Sequence, residues 1–114
     1  MEAMKILCVE HYPAHLTTLQ CMLEKAGYEV TAASSAQQAV ALFASGAFDG
    51  VLLEYDLPDK AGASVRGELK RIRPEVPVLL FAGVGPQTPI LLRFFDAYVR
   101  HGKSPGPGRD DLAA

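Results

Sequence analysis

A small set of residues in this chain has the type and placement for chemistry. Glu10 and His11 close one apolar run, Glu54 closes another with Asp56 two residues on, and His101 follows a short apolar segment. Carboxylates and imidazoles gathered at one place can hold a cation or move a proton. Glu10 and Glu54 with His11 and His101 would suit Zn²⁺ or another transition metal better than Mg²⁺, because a hard cation prefers an all-oxygen shell. No Gly-x-Ser-x-Gly, phosphate-binding glycine loop or Cys-x-x-Cys pair accompanies them, so an enzyme is not expected. Cys8 and Cys21 stand apart from any metal-ligand spacing and read as two buried thiols of a cytoplasmic protein.

These residues have to be positioned by strand ends. Lys5–Val9 (KILCV), Tyr28–Ala33, Gly50–Leu53 and Val76–Phe81 are short β-prone runs, continuous in the way of strands buried on both faces. Between them lie amphipathic segments. Leu16, Leu19, Leu23 and Ala26 fall at helical spacing and stop at Gly27. Ala36, Ala39, Val40 and Phe43 follow a Ser34/Gln37 capping signature, and Val65, Leu69 and Ile72 end before Pro74. Thr88–Phe95 reads as a short helix and Ala97–Arg100 as a fifth strand. Strands alternating with helices at this spacing predict an α/β fold with a parallel sheet covered on both faces. Ligands of such folds bind at the carboxyl edge of the sheet, where Glu10, Glu54 and Asp56 would emerge.

Composition bounds the rest. The chain has 114 residues, 49% of them hydrophobic, and a net charge of −2. Mean hydropathy is +0.12 and the isoelectric point about 5.9. One domain with one core fits that length. The charge gives no basic footprint for nucleic acid, no apolar run approaches a membrane span, and the N-terminus lacks the pattern of a secretory signal. A domain over residues 1–101 is therefore expected, followed by a Gly/Pro-rich linker or tail over 102–114.

The acidic end of the first run, the acid-x-x-x-Pro of Glu54–Pro58, and Tyr98-x-x-His101 at a Tyr-x-x-Lys position are similar in order and spacing to receiver domains of bacterial response regulators (the CheY-like family). Gly27-Tyr28-Glu29-Val30, Phe48-Asp49 and Leu57-Pro58 followed by Gly62 add to the likeness. The resemblance implies a flavodoxin-like fold with five parallel strands in the order 2-1-3-4-5, and a role in two-component phosphorelay signalling with a histidine kinase or an output domain as partner. In that family an acidic pair and an aspartate hold Mg²⁺, the aspartate takes a phosphoryl group, a Ser/Thr hydroxyl and a lysine contact it, and an aromatic residue on the last strand relays the change.

Carried over by position, the acidic pair falls on Glu10 and His11, the phosphoacceptor on Glu54, the hydroxyl on Ala82, the aromatic on Tyr98 and the lysine on His101. Only Tyr98 is of the family's type. Glutamate displaces a carboxylate by roughly an ångström, enough to cost about a hundredfold where geometry is in-line. His11 is a poor Mg²⁺ ligand, Ala82 offers no hydrogen bond, and His101 carries charge conditionally. Mg²⁺ binding is thus expected to be weak or absent, and the domain to act as a pseudo-receiver through protein–protein interaction. Asp56 is the alternative phosphoacceptor. Protonated His11 and His101 would add attraction to Glu10 and Glu54, whereas His15 is assigned to the surface. Since a fifth helix would have only Arg109–Ala114 to form from, scarcely two turns, apolar sheet surface should be left bare, favouring a dimer, a swapped or partner-supplied helix, or a longer parent chain.

Overall fold

The computed structural model describes residues 2–102; the 102–114 linker expected from the sequence lies outside these apart from Gly102. Four strands, β1 (Lys5–Val9), β2 (Glu29–Ala33), β3 (Gly50–Glu54) and β4 (Val78–Phe81), alternate with four helices, α1 (Pro13–Lys25), α2 (Ala36–Ser45), α3 (Gly62–Ile72) and α4 (Thr88–His101). The strands form one parallel sheet in the order β2-β1-β3-β4, with Leu7 opposite both Thr31 and Val51, and Leu53 opposite Leu80. Alternate side chains point to opposite faces. Leu7, Val9, Val51, Leu53, Val78 and Leu80 pack under α2 and α3 through Ala39, Phe43, Val65 and Leu69. Ile6, Cys8, Leu52, Leu79 and Phe81 pack under α1 and α4 through Leu19, Leu23, Leu91 and Phe95.

Local chemistry accounts for the element ends. Pro13 opens α1, where its missing N–H costs nothing, and Gly27 follows the helix with φ 98°. Ser35, one residue later than the expected cap, accepts from the Gln38 amide at 3.1 Å while Gln38 reaches back to the Ser34 amide at 2.9 Å. The Asp59 carboxylate supplements this cap from the loop after β3, accepting from the Ala36 and Gln37 amides at 2.9 and 3.0 Å. Those two hydrogen bonds hold its carboxyl below the usual range.

The fifth strand is not present among the described residues. Ala97–Arg100 belongs to α4, which runs 14 residues from Thr88 to His101. Its buried positions Leu91, Phe95, Tyr98 and Val99 fall at helical spacing, Pro89 sits in the first turn, and Gly102 at φ 67° donates to the Tyr98 carbonyl at 2.8 Å as a left-handed C-cap. Four residues rich in aromatic and β-branched types fit either period, and the longer amphipathic pattern decides. Because α4 lies on the face already occupied by α1, the apolar surface expected to be bare there is covered. Gly50 permits this contact: a Cβ on it would come within 2.7 Å of Val99 Cγ2. Tyr28 fastens the far side, its hydroxyl donating to Asp96 Oδ1 at 2.5 Å beneath the guanidinium of Arg100. Cys8 is buried as expected, but Cys21 is exposed.

Candidate functional site

The ends of β1 and β3 deliver Glu10 and Glu54 side by side, and both are buried, with 1% and 7% of their surfaces exposed. β1 runs in register with β2, so the Glu10 amide is fixed by the Ala33 carbonyl at 3.0 Å. Its carboxylate turns back, Oε2 accepting from the Tyr12 amide at 3.2 Å. Oε1 lies 3.4 Å from His15 Nδ1, within ion-pair range when the imidazole is protonated. The two atoms are not aligned as a hydrogen bond, and neither has another partner among the described residues.

Glu54 reaches across the sheet edge. Oε2 accepts from the Gly83 amide at 3.0 Å, and Oε1 lies at the long distance of 3.4 Å from the Asp56 amide. Burial pushes the Glu54 carboxyl above its ordinary range, the Glu10 and Asp56 charges add to the rise, and the Gly83 and Asp56 amides oppose it. The extra methylene of glutamate is what spans the distance to the loop between β4 and α4. Gly62 lets that edge pack tightly: its amide donates to the Tyr55 carbonyl at 2.7 Å, and a Cβ there would lie 2.5 Å from the Glu54 carbonyl oxygen.

The structure brings together Glu10, Glu54 and Ala82–Gly83, with the Asp56 amide at the rim, and disperses the others. His11 is exposed and tilted against the Tyr12 ring, their centroids 5.3 Å apart, so it does not join Glu10 and Glu54. Tyr98 and His101 lie on α4, not at the end of a strand. α4 descends the sheet so that Val99 meets Gly50, the first residue of β3, and Asp96 meets Tyr28 just before β2. Both residues are therefore at the amino edge, where His101 adds to the positive charge felt by Asp96 and Tyr98 packs into the core under α4. The four-residue metal set of Glu10, His11, Glu54 and His101 is not assembled, nor is the attraction expected from His11 and His101. His15 takes that place beside Glu10 while its side chain stays 40% exposed, so it lies at the surface as expected but faces the Glu10 carboxylate. Pro13 was the available signal, since it starts the helix early enough to set His15 in the first turn above β1. The Gly83 amide carries no side-chain signal at all.

A four-stranded parallel sheet flanked by helices, with buried acids at the ends of β1 and β3, defines a receiver-type signalling domain. Residues 6–96 match the response regulator receiver domain, and the chain belongs to that family. The match stops just before Ala97–His101, the segment that is helical here. The chain is 35% identical over 75 residues to the transcriptional regulatory protein ZraR of Escherichia coli K12, covering 66% of this chain and 17% of that protein. It is 38% identical over 84 residues to the transcriptional regulatory protein AruR of Pseudomonas aeruginosa, covering 69% of this chain and 34% of that protein. It thus spans between a sixth and a third of these relatives. Among solved structures, the receiver domain of the sensor histidine kinase PA1611 from Pseudomonas aeruginosa superposes with a TM-score of 0.70 at 25% identity, over 98% of this chain and 85% of that one. The relatives therefore include both regulators and a sensor kinase of two-component systems.

The PA1611 receiver is described with magnesium coordinated in its active-site cleft. The donors here do not fit such an ion. Both oxygens of Glu54 face backbone amides, one oxygen of Glu10 faces an amide and the other an imidazole, and His11 points away. Among the described residues no three His, Cys, Asp or Glu side chains converge in a metal-holding geometry. No helix of the described residues is long and apolar enough to cross a membrane.

Proposed function

We propose that this receiver domain signals without phosphoryl transfer, as a protein-interaction module held in one state by Glu54. The observation that carries this reading is the 3.0 Å hydrogen bond from the Gly83 amide to Glu54 Oε2. A carboxylate at the phosphoacceptor position is already engaged by the loop that leads into α4, so the loop and helix are set with no covalent event. Absence of a hydroxyl at Ala82 does not prevent this, because the backbone amide of the next residue supplies the donor. A carboxylate with both oxygens turned to amides is also poorly placed to attack an incoming phosphoryl group. The domain is read as non-enzymatic and cytoplasmic, with a histidine kinase or an output domain as its partner.

Incubation with acetyl phosphate and Mg²⁺, followed by intact mass measurement, tests this. The expected result is an unchanged mass. A phosphoryl adduct would overturn the reading, and its loss in Asp56→Asn would assign it to Asp56, the exposed acid at the rim of the site.

A further inference from the structure

Glu10 Oε1 and His15 Nδ1 are both sealed from solvent, and they lie 3.4 Å apart with no hydrogen-bond partner among the described residues. The Glu10 side chain that carries the first of them is buried. A carboxylate oxygen only accepts, and so does Nδ1 of a neutral imidazole whose proton is on Nε2. Two acceptors facing each other in a buried place call for a positive charge between them. A proton on Nδ1 is one solution, but a charge-assisted N–H···O bond closes to about 2.7–2.9 Å with the hydrogen aimed at the oxygen. This pair is longer than that and out of line.

A metal ion is the other solution, and the distance suits it. Zn²⁺ takes imidazole nitrogen at about 2.0–2.1 Å and carboxylate oxygen at about 2.0–2.2 Å in a tetrahedral shell, which sets two such donors about 3.4 Å apart. Donors that share an ion aim at a common point and not at each other, so they miss the alignment of a hydrogen bond. Both side chains are held in place by Tyr12. Its amide fixes Glu10 through Oε2 at 3.2 Å, and its ring meets the His15 ring edge-on, 5.4 Å between centroids. Outer contacts of this kind orient metal ligands. Pro13 at the start of α1 sets His15 in the first turn, over the end of β1. The His15 side chain is partly exposed, so rotation of its ring admits an ion and leaves solvent to complete the shell.

We propose that Glu10 Oε1 and His15 Nδ1 form a two-donor site for a transition-metal ion of the Zn²⁺ type, clipping the first turn of α1 to the end of β1. The imidazole donor disfavours Mg²⁺ and Ca²⁺, which take oxygen shells. The site therefore differs in its ion from the cleft of the PA1611 receiver. Glu54 takes no part in it, since its oxygens face the Gly83 and Asp56 amides. The site is also independent of whether the domain accepts a phosphoryl group.

Isothermal titration calorimetry of the full chain, with zinc chloride and separately with magnesium chloride, tests this. One equivalent of Zn²⁺ should bind, and Mg²⁺ should give no heat. His15→Ala and Glu10→Gln should each weaken Zn²⁺ binding at least about tenfold, since even the outer-shell partners of a metal ligand are worth about 10–100-fold. His11→Ala and Cys21→Ser, at exposed positions, should leave it unchanged. In NMR spectra the His15 Nδ1 resonance should shift on adding Zn²⁺ while Nε2 keeps its proton. Circular dichroism checks folding; should Glu10→Gln not fold, His15→Ala at its partly exposed position decides the matter. No heat with Zn²⁺, the result of a plain His15–Glu10 ion pair, would overturn the proposal. So would Zn²⁺ binding that survives His15→Ala, or Mg²⁺ binding of equal strength.

Discussion

Replacing Glu54 by aspartate should loosen the site, although aspartate is the type the family prefers at this position. The substitution shortens the side chain by one C–C bond, about 1.5 Å. The Gly83 amide sits 3.0 Å from Oε2, so the contact opens to roughly 4 Å or more, past hydrogen-bond range. A hydrogen bond to a charged acceptor contributes about 1.5–3 kcal/mol. Gly83 is only half-buried, so water can replace part of the loss, which places the expected cost near the lower bound, about 1.5 kcal/mol. Thermal denaturation should then show Tm lower by about 6–10 °C for a domain of this size. Amide exchange followed by NMR gives the local reading: the Gly83 amide should exchange about tenfold faster than in the unchanged protein. Glu54→Gln keeps both reach and acceptor and should retain protection at Gly83. If Glu54→Asp left Gly83 exchange within about twofold of the parent, the contact would not be what holds the loop, and the functional reading built on it would fail.

Glu54 also sets a pH dependence. Its carboxyl is raised in the folded state by burial first and by Glu10 and Asp56 next. An acid whose folded pKa exceeds its unfolded value contributes stability that is present below the unfolded pKa and is lost as pH rises through the folded one. Glu54→Gln cannot ionise, so it should be more stable than the parent at pH 7 and equal to it below about pH 4, as urea titrations at the two pH values would reveal. Gly50→Ala puts a methyl 2.7 Å from Val99 Cγ2 in a packed layer and should destabilise by about 1–3 kcal/mol, measured by the same titrations. An unchanged midpoint there would mean that α4 does not press against the start of β3.

The apolar runs and helical stripes led directly to eight of the elements, because each buried strand and each amphipathic face carries its period in its own residues. The last part of the chain was misread for a physical reason. Ala97–Arg100 is too short to declare a period, and its aromatic and β-branched residues suit a strand in isolation. Only with Leu91 and Phe95 does it join a stripe that continues through Tyr98 and Val99. That one error also displaced Tyr98 and His101 from the sheet's amino edge to its carboxyl edge. Glu10 and Glu54 were legible because strand ends deliver side chains predictably. His15 was not, since its contact depends on how α1 leans over β1, and the Gly83 amide was not, since a backbone donor leaves no trace in residue type.

Burial of Cys8 beneath α1 and α4 gives the molecule a built-in chemical clock. Burial first, and the nearby Glu10 charge next, push this thiol up to about 12, so it carries almost no thiolate in the native state and has no solvent path to a reagent. Cys21, on the outside of α1, is open to alkylation from the start. One label per chain therefore reports the native state, and the second arrives only as fast as the layer between β1 and its covering helices opens.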